Sequence, residues 1–471
     1  MTRHAGTFGH AGTFGRALLA LCLGLTIGPH PLRAQSVRLH WTTTAQYVQL
    51  RPIQYDSASG QYAALPVTYA APVTQDVEIS AWGLGFPGLR AYALLRGRAA
   101  LGSELVWPRY GDHFDLLAAY LELQRQTYRL RLGRQQRASA LGWYAFDGLT
   151  AGWQPVSTVR VEAYGGRGLA RATLEPYNSP ALAALDPLRP DKGTVLLGAS
   201  LSASPFARSS FSAIYQREVL SDRSGLVSER AAVDGRVGIG SFLTLSASAD
   251  ADLAERWIGK ASISATVRLF RGGFAELEAF RYRPTLDLTT IWGAFVPESN
   301  NGYTASVQLA AASDLSVSGA FTYRRWQPLS AGSPFLVNIA DDQKVVTLGA
   351  HTRRGNLTLD GSYHLELGYG GDQSGGDLGI GWAPDDGWRA GLTGTAFRQT
   401  DMVRVTDGTV VGIGAQIRTP LGRRLGVSAD VTRYFQRRLK GATGVDWNQT
   451  RASLTFDWTL GADADRVGGY R

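Results

Sequence analysis

A two-residue alternation of apolar and polar side chains runs through this chain and limits what it can fold into. The clearest example is 451–460, where one parity is apolar and the other is polar. The apolar set is Ala452, Leu454, Phe456, Trp458 and Leu460, and the polar set is Arg451, Ser453, Thr455, Asp457 and Thr459. Successive side chains of a strand point to opposite faces, so this segment has one apolar and one polar face.

The alternating segments are about as long as a strand that crosses a bilayer, roughly 9–11 residues. Strands can cross lipid only as a closed barrel, because hydrocarbon offers no partner to a free backbone N–H or C=O group. Only 44% of the residues are hydrophobic and the mean hydropathy is −0.11, as expected when one face of each strand meets water. We therefore predict an all-β fold, a single transmembrane antiparallel up-and-down β-barrel.

Short turn signals divide the chain at fairly regular spacing. Ten of them lie between alternating runs: Phe86-Pro87-Gly88, Gln124-Arg125-Gln126, Gln154-Pro155, Pro205-Phe206, Gly238-Ile239-Gly240, Arg271-Gly272-Gly273, Ser313-Asp314, Arg354-Gly355-Asn356, Asp385-Asp386-Gly387 and Pro420-Leu421-Gly422. Ten hairpins, a first strand near 37–50 and a last strand near 447–460 predict about 22 strands, in a range of roughly 18–24. Longer irregular segments separate the hairpins, and short periplasmic turns with long extracellular loops are typical of outer-membrane barrels.

The N-terminus has the pattern of a secretory signal peptide. Arg3 and Arg16 are basic, 17–27 is an apolar run too short to span a membrane as a helix, and 32–34 resembles a cleavage site. We predict a signal peptide over 1–34 that is cleaved near Ala34, a barrel over 35–460 and a polar C-terminal tail over 461–471. The predicted location is the bacterial outer membrane.

Cysteine content and charge exclude several classes of function. Cys22 is the only cysteine and lies in the predicted signal peptide, so a mature chain would have no disulfide, thiolate zinc site or CxxCH haem attachment. We expect no cofactor and no metal. The net charge of +9 falls to +6 without 1–34, which contains three arginines and no acid. The arginines are spread over many strands, which argues against nucleic-acid binding.

A basic ladder occupies 127–137, where arginines alternate with apolar residues. Its arginines are Arg129, Arg131, Arg134 and Arg137, of which the last two are expected in the loop after the strand. If the apolar residues face lipid, Arg129 and Arg131 project into the lumen, where arginines favour anions and polar solutes. Alternatively, the arginines pair with acids on neighbouring strands and fill the interior, and Arg160 and Glu162 are candidates for that network. The two roles are compatible.

Two further groups of charged residues are candidates for the lumen. Carboxylate and imidazole groups at alternating positions could bind a metal or exchange protons, but with no third ligand evident ordinary lumen lining is favoured for Asp360, His364 and Glu366. The loop 166–192 is long enough to fold inward and narrow the pore. Its charged residues would then set selectivity: Arg167, Arg171, Glu175, Asp186 and Arg189.

Residues 130–153 resemble a hairpin of large bacterial porins of the alginate-export and substrate-specific type. In those barrels a Gly-Arg-Gln strand end is followed by a loop and an Asp-Gly strand start, matched here by Gly133-Arg134-Gln135 and Asp147-Gly148. The whole chain resembles porin-like barrels in architecture. The resemblance implies a bacterial outer-membrane barrel.

These features favour a porin-like channel for passive diffusion of small hydrophilic solutes, anions among them. Two alternatives stay open: a structural or assembly barrel that sheathes a periplasmic or electron-transfer partner, and an outer-membrane hydrolase. The sequence contains no HExxH, P-loop or GxSxG signature, so we predict that the protein is not an enzyme. The expected partners are outer-membrane lipid and lipopolysaccharide, the barrel-assembly machinery and small polar solutes.

Overall fold

The computed structural model describes residues 36–51, 53–56, 61–102, 114–169, 193–222, 225–270, 272–283, 299–327, 341–368, 371–384, 387–400, 408–438 and 447–461. The strands within them are β1 (Ser36–Leu50), β2 (Ile53–Asp56), β3 (Gln61–Ala64), β4 (Thr68–Trp82), β5 (Leu89–Gly102), β6 (Phe114–Gln124), β7 (Tyr128–Ser139), β8 (Gly142–Val156), β9 (Val159–Gly168), β10 (Thr194–Ala203), β11 (Ser209–Leu220), β12 (Leu226–Ile239), β13 (Leu243–Asp252), β14 (Trp257–Phe270), β15 (Gly273–Tyr282), β16 (Asn300–Ala310), β17 (Leu315–Trp326), β18 (Asp342–Arg354), β19 (Leu357–Gly368), β20 (Asp372–Trp382), β21 (Arg389–Thr400), β22 (Gly408–Pro420), β23 (Leu425–Arg438) and β24 (Trp447–Gly461). Among these residues, no helix is long and apolar enough to cross a membrane.

One antiparallel sheet of 22 strands closes on itself. β1 completes the ring, because it pairs with β24 on one side and with β4 on the other. β2 and β3 pair only with each other, in the connection between β1 and β4. Closure leaves no free sheet edge in the barrel, so the backbone groups of the first and last strands find partners as the others do.

The predicted fold class is confirmed, including the number of strands in the barrel. Ten short connections lie at one end of the strands, where the sequence predicts tight turns, and the longer connections lie at the other end. One boundary differs from the prediction. The turn expected at Gln154-Pro155 lies at Ser157-Thr158, and the pairing of β8 with β9 shifts between Trp153 and Val156. The shift accommodates Pro155, which has no N–H group for the ladder.

Alternation along the strands separates an outer apolar face from a polar lumen. On the outer face, Leu392 is 59% exposed and Ile413 is 62% exposed. The next residue after Leu392 is Thr393, which lines a cavity in the lumen. The rings of Trp41 and Trp458 stack on the outer face with their centroids 6.2 Å apart, where β1 pairs with β24. An apolar outer face of this kind is the part of a barrel that contacts lipid.

This assignment of faces predicts opposite effects for two adjacent substitutions. Leu392→Arg places a charge on the lipid face and should cost about 2–4 kcal/mol of folding free energy in a bilayer. Thr393→Arg places the same charge in the water-lined lumen and should cost much less. Urea unfolding of both variants in phospholipid vesicles measures the difference. Equal destabilisation by the two substitutions would contradict the assignment of faces.

Candidate functional site in the barrel lumen

The upper part of the β7–β8 hairpin departs from the barrel wall. Ala140 and Leu141 join the two strands at the end where the longer connections lie. The consecutive residues Tyr144, Ala145 and Phe146 are only 2%, 2% and 1% exposed. In a barrel wall, one face of a strand meets lipid and the other meets the lumen, so neighbouring residues are not all covered by protein. We call residues 134–147 the inner hairpin, and its residues 144–146 are covered on both faces.

Contacts of one face show that the inner hairpin extends across the lumen. The Leu141 carbonyl accepts a hydrogen bond of 2.8 Å from the Arg230 guanidinium on β12. Four strand spacings separate β8 from β12 along the wall, about 19 Å at the usual distance between strands. The rings of Phe146 and Tyr164 lie 5.7 Å apart, and the same buried cluster includes Leu196, Ile214 and Ala232 of β10, β11 and β12.

The opposite face of the inner hairpin packs against β5 and β6. Ala145 forms a buried cluster with Leu117 and Leu169, and Leu94 and Trp143 pack against it. The Gln136 amide donates a hydrogen bond of 2.9 Å to the Leu117 carbonyl. The inner hairpin is therefore held between two parts of the wall and narrows the lumen.

A row of glycines explains why the hairpin can bend at this level. Gly133, Gly148 and Gly166 are register partners on β7, β8 and β9. Gly133 has a φ of 128°, which side chains disfavour, and a Cβ on Gly148 would lie 2.6 Å from the Gly166 Cα. The buried Gln135 amide donates a hydrogen bond of 2.9 Å to the Gly148 carbonyl. It accepts a hydrogen bond of 2.7 Å from the Thr150 hydroxyl. The glycines let the strands approach closely, and Gln135 satisfies the backbone groups there.

Two arginine–glutamate triads lie below and beside the inner hairpin. The first is built on Glu122, which is fully buried and contacts Arg90 at 2.7 Å and Arg131 at 2.6 Å. The second is built on Glu162, which binds both Arg129 and Arg137. Each triad contains two guanidinium groups and one carboxylate and therefore has one excess positive charge.

Tyrosine rings fix two of these arginines. The Arg131 guanidinium lies 4.3 Å from the centre of the Tyr120 ring, and that of Arg137 lies 4.4 Å from the centre of the Tyr164 ring. Arg137 also donates a hydrogen bond of 2.9 Å to the hydroxyl of Ser200, which belongs to β10. Stacking and several hydrogen bonds hold each charge in one place, unlike a lysine on a free stem.

The structure brings together some of the sequence candidates and separates others. Arg134 and Arg137 were expected in a loop, but both belong to β7, which continues to Ser139. Arg134 forms a bidentate pair with Asp147 at 2.7 and 2.8 Å. The Gly-Arg-Gln and Asp-Gly sequences therefore face each other in the middle of paired strands, rather than at a strand end and a strand start. Arg160 donates a hydrogen bond of 3.1 Å to Gln154, whereas Glu162 binds Arg129 and Arg137.

The polar face of β19 divides into two pairs. Asp360 contacts His351 of β18, whereas His364 lies 3.4 Å from Glu366. Gln343 donates a hydrogen bond to Glu366. In the part of the chain that the structure describes, no group of three His, Cys, Asp or Glu residues could hold a metal ion. Lumen lining by these residues stays a prediction.

Most of the loop that the sequence predicts to narrow the pore lies outside the described residues. Arg167 belongs to β9, on the outward parity with the exposed Val161. The remaining loop candidates lie outside the described residues: Arg171, Glu175, Asp186 and Arg189. The inner hairpin, which sequence reasoning missed, narrows the lumen. Its one sequence signal is the presence of Gly133 and Gly148 within the porin-like stretch 130–153.

The wall opposite the inner hairpin is open and lined by small polar residues. A cavity of about 900 Å³ lies along β16–β23. Its lining includes hydroxyl residues and three ionisable residues: Ser316, Ser318, Thr393, Thr395, Thr432, His351, Asp360 and Asp377. The lumen therefore has a crowded side with the two triads and an open side where hydroxyl groups lie beside Asp360 and Asp377.

Comparisons with known proteins support the fold. No protein-family model matches the chain, and no curated protein matches it. Among solved structures, the siderophore receptor PirA from Pseudomonas aeruginosa aligns with a TM-score of 0.51 and 11% identity over 90% of this chain and 80% of that chain. The ferric citrate transporter FecA gives 0.48 and 11% over 89% and 78%, and Acinetobacter baumannii OccAB2 gives 0.43 and 11% over 92% and 100%. At this identity the likeness to PirA shows a shared fold alone.

A closed barrel of 22 strands with an apolar outer face and a polar lumen defines a protein of the bacterial outer membrane. The chain is an outer-membrane β-barrel of 22 strands.

Removing the inner hairpin should widen the lumen. Gln135 and Phe146 are register partners, so residues 136–145 can be replaced by Asn-Gly, which favours a two-residue hairpin turn. We expect a larger single-channel conductance in planar bilayers, because the narrowest part of the lumen is gone. The matched control replaces the connection 253–256 at the same end of the barrel with Asn-Gly and should leave the conductance unchanged. An unchanged conductance in the first variant would rule out the inner hairpin as the constriction.

Proposed function

We propose that this protein is a passive diffusion channel for small hydrophilic solutes and that its lumen prefers anions. The observation that carries the proposal is the pair of triads on Glu122 and Glu162, each with one excess positive charge beside the inner hairpin. A solute that crosses the barrel passes between these charges and the open wall that includes Thr393 and Thr395.

Fixed positive charge at a constriction favours anions for an electrostatic reason. Charges more than about 8 Å away are screened at physiological ionic strength, so only a narrow passage exposes the solute to the triads. The inner hairpin provides such a passage and contributes Arg137 to it. Positive rings in a water-filled pore lower the energy of an anion and raise that of a cation.

The small polar side chains on the open wall favour passage rather than tight binding. Serine and threonine hydroxyls can replace part of the hydration of a solute without holding it strongly. Conduction requires that the free energy of binding is favourable enough for a solute to enter the pore and weak enough for it to leave. The charged side of the lumen then supplies selectivity, and the open side supplies flux.

The inner hairpin weakens the alternative of a sheath around a partner protein. A partner inside the barrel would need the space between β5–β6 and β9–β12 that Leu141, Tyr144 and Phe146 already fill. The proposed channel needs only the cavity along β16–β23.

The double variant Arg129→Gln/Arg131→Gln tests the preference for anions. Glu162 keeps Arg137 and Glu122 keeps Arg90, so each triad becomes a neutral pair and neither carboxylate loses all its partners. We expect the ratio of chloride to potassium permeability, measured from the reversal potential in a KCl gradient, to fall from above 1 towards about 1.

The control for this experiment is Arg325→Gln. Arg325 is 70% exposed in its side chain and lies on the outward parity of β17, near Asp341 at 3.6 Å. This variant removes one positive charge from the protein without touching the lumen and should conduct like the unmodified chain. If the control and the double variant change selectivity equally, the triads do not set it. If folded protein gives no conductance steps, the channel itself is refuted.

A further inference from the structure

Three arginines and several hydroxyl groups line another cavity, at the tight-turn end of the barrel. The cavity has a volume of about 490 Å³ and lies where β11–β14 meet their short connections. Its arginines are Arg208 in the turn before β11, Arg236 of β12 and Arg268 of β14. We call these three residues the arginine cluster. Short turns lie on the periplasmic side of an outer-membrane barrel, so the cluster is at the periplasmic mouth.

Alternation and register place the strand residues of the cluster on the lumen side of the wall. Ala232 of β12 belongs to the buried cluster inside the barrel, so Arg236, at the same parity, points into the lumen. Gly238 shares that parity and pairs with Thr244 of β13. Thr244 pairs in turn with the β14 residue two positions before Arg268, so Arg268 also lies on the lumen face.

Two glycines keep the space between the arginines free. The Gly238 amide donates a hydrogen bond of 2.9 Å to the Arg208 carbonyl, and a Cβ at Gly238 would lie 3.0 Å from the Arg208 Cβ. The Arg208 guanidinium extends to the next turn and donates a hydrogen bond to the Gly240 carbonyl. β12 and β14 are two strand spacings apart, about 10 Å. Long side chains at Arg236 and Arg268 can therefore reach one ligand between them.

The arginine cluster differs from the triads because it lacks carboxylate partners. In the part of the chain that the structure describes, none of its three guanidinium groups belongs to an ion pair. The Arg268 guanidinium lies 5.7 Å from the centre of the Phe274 ring. The lumen acids nearest in register are Asp234 and Glu276, and Asp234 accepts the Ser212 hydroxyl instead. The cluster therefore concentrates positive charge that these acids do not pair.

We propose that the arginine cluster binds the phosphate group of a phosphorylated small solute, a role that rests on the proposed channel function. A phosphate monoester has a charge of about −1.5 to −2 at pH 7 and three acceptor oxygens. Each guanidinium can donate two parallel hydrogen bonds to such a group, whereas a carboxylate is already satisfied by one guanidinium. The hydroxyls of Ser210, Ser241 and Thr244 line the same cavity and can donate as well.

Exposure of the arginine cluster keeps such binding compatible with passage. All three arginines are exposed, so water weakens their attraction for an anion. A phosphorylated solute that has passed the triads would meet its most favourable position at the periplasmic mouth and could still leave it. Conduction requires this combination of attraction and release.

A second group of arginines at the same end of the barrel offers a charge-matched control. Arg353, Arg389 and Arg418 line a cavity of about 640 Å³ along β18–β23. The lining of that cavity also includes Asp430, whose carboxylate disfavours a doubly charged anion. We therefore expect this second cavity to contribute little to the binding of phosphate.

Isothermal titration calorimetry on the purified full chain in detergent tests the proposal. The probes are glycerol phosphate, glycerol and succinate, which compare a phosphate ester with its neutral parent and with a dicarboxylate. We expect the unmodified chain to bind glycerol phosphate more tightly than succinate and not to bind glycerol. Arg208→Gln/Arg236→Gln/Arg268→Gln should weaken the binding of glycerol phosphate at least about tenfold. The control Arg353→Gln/Arg389→Gln/Arg418→Gln should weaken it by less than about threefold.

A single variant keeps the test valid if the triple variant does not fold. Arg208 has a φ of 62°, which glycine adopts freely, so Arg208→Gly removes a guanidinium without straining the turn. It should weaken the binding of glycerol phosphate at least about threefold. Heat-modifiable migration on a gel checks the folding of every variant.

Several results would overturn the proposal. They are unchanged affinity in the folded cluster variants, an equal loss in the control, or binding of succinate or glycerol as tight as that of glycerol phosphate. Conductance in planar bilayers separates this proposal from the channel function. A chain that conducts but does not bind glycerol phosphate lacks the site and keeps the channel, whereas binding without conductance steps refutes the channel and keeps the site.

Discussion

Backbone hydrogen bonding in lipid is the constraint on which the rest of this structure depends. Water cannot satisfy the N–H and C=O groups of a strand inside a bilayer, so every strand needs a partner on both sides. β1 meets this requirement for both edges of the sheet, because it pairs with β24 on one side and with β4 on the other. Closure fixes which face is outside, and the outside face then has to be apolar along its whole circumference.

Closure of 22 strands also creates a lumen too wide for wall side chains to fill. The protein fills one side with the inner hairpin, whose Phe146 and Tyr144 are buried against the wall, and with arginines paired to Glu122 and Glu162. The other side keeps a cavity whose lining combines small hydroxyl side chains with Asp360 and Asp377. This asymmetry places charge and free volume next to each other, which is the arrangement that a selective aqueous channel needs.

The fold was predictable because its signals are local. Alternation in 451–460 and turn signals such as Arg354-Gly355-Asn356 each act within one strand or hairpin. Pairing of strands that are neighbours in chain order then determines the topology of the barrel. The inner hairpin was not predictable in this way. Its bend depends on Gly133, Gly148 and Gly166 lying side by side on three strands, and a one-strand pattern does not show cross-strand register.

The candidate site divides along the same line. Arg129 and Arg131 were assigned to the lumen from alternation, and the structure places both in contact with acids there. Glu122 gave no signal, because its role comes from Arg90 and Arg131 on the two strands that flank it. Arg134 and Arg137 were misplaced, since the polar residues around them read as a loop although they continue β7 into the lumen. Long-range geometry, rather than residue type, decided these positions.

A cysteine scan of β24 tests the central claim most directly. Cys22 is the only native cysteine and lies in the predicted signal peptide, so single cysteines at successive positions of 451–460 can be labelled without interference. In lipid vesicles, positions 451, 453, 455, 457 and 459 should react with a membrane-impermeant thiol reagent, and the even positions should be protected. Strict alternation with this phase is the predicted result. Reaction at all positions, protection at all positions, or a helical period would contradict a closed barrel with a water-filled lumen.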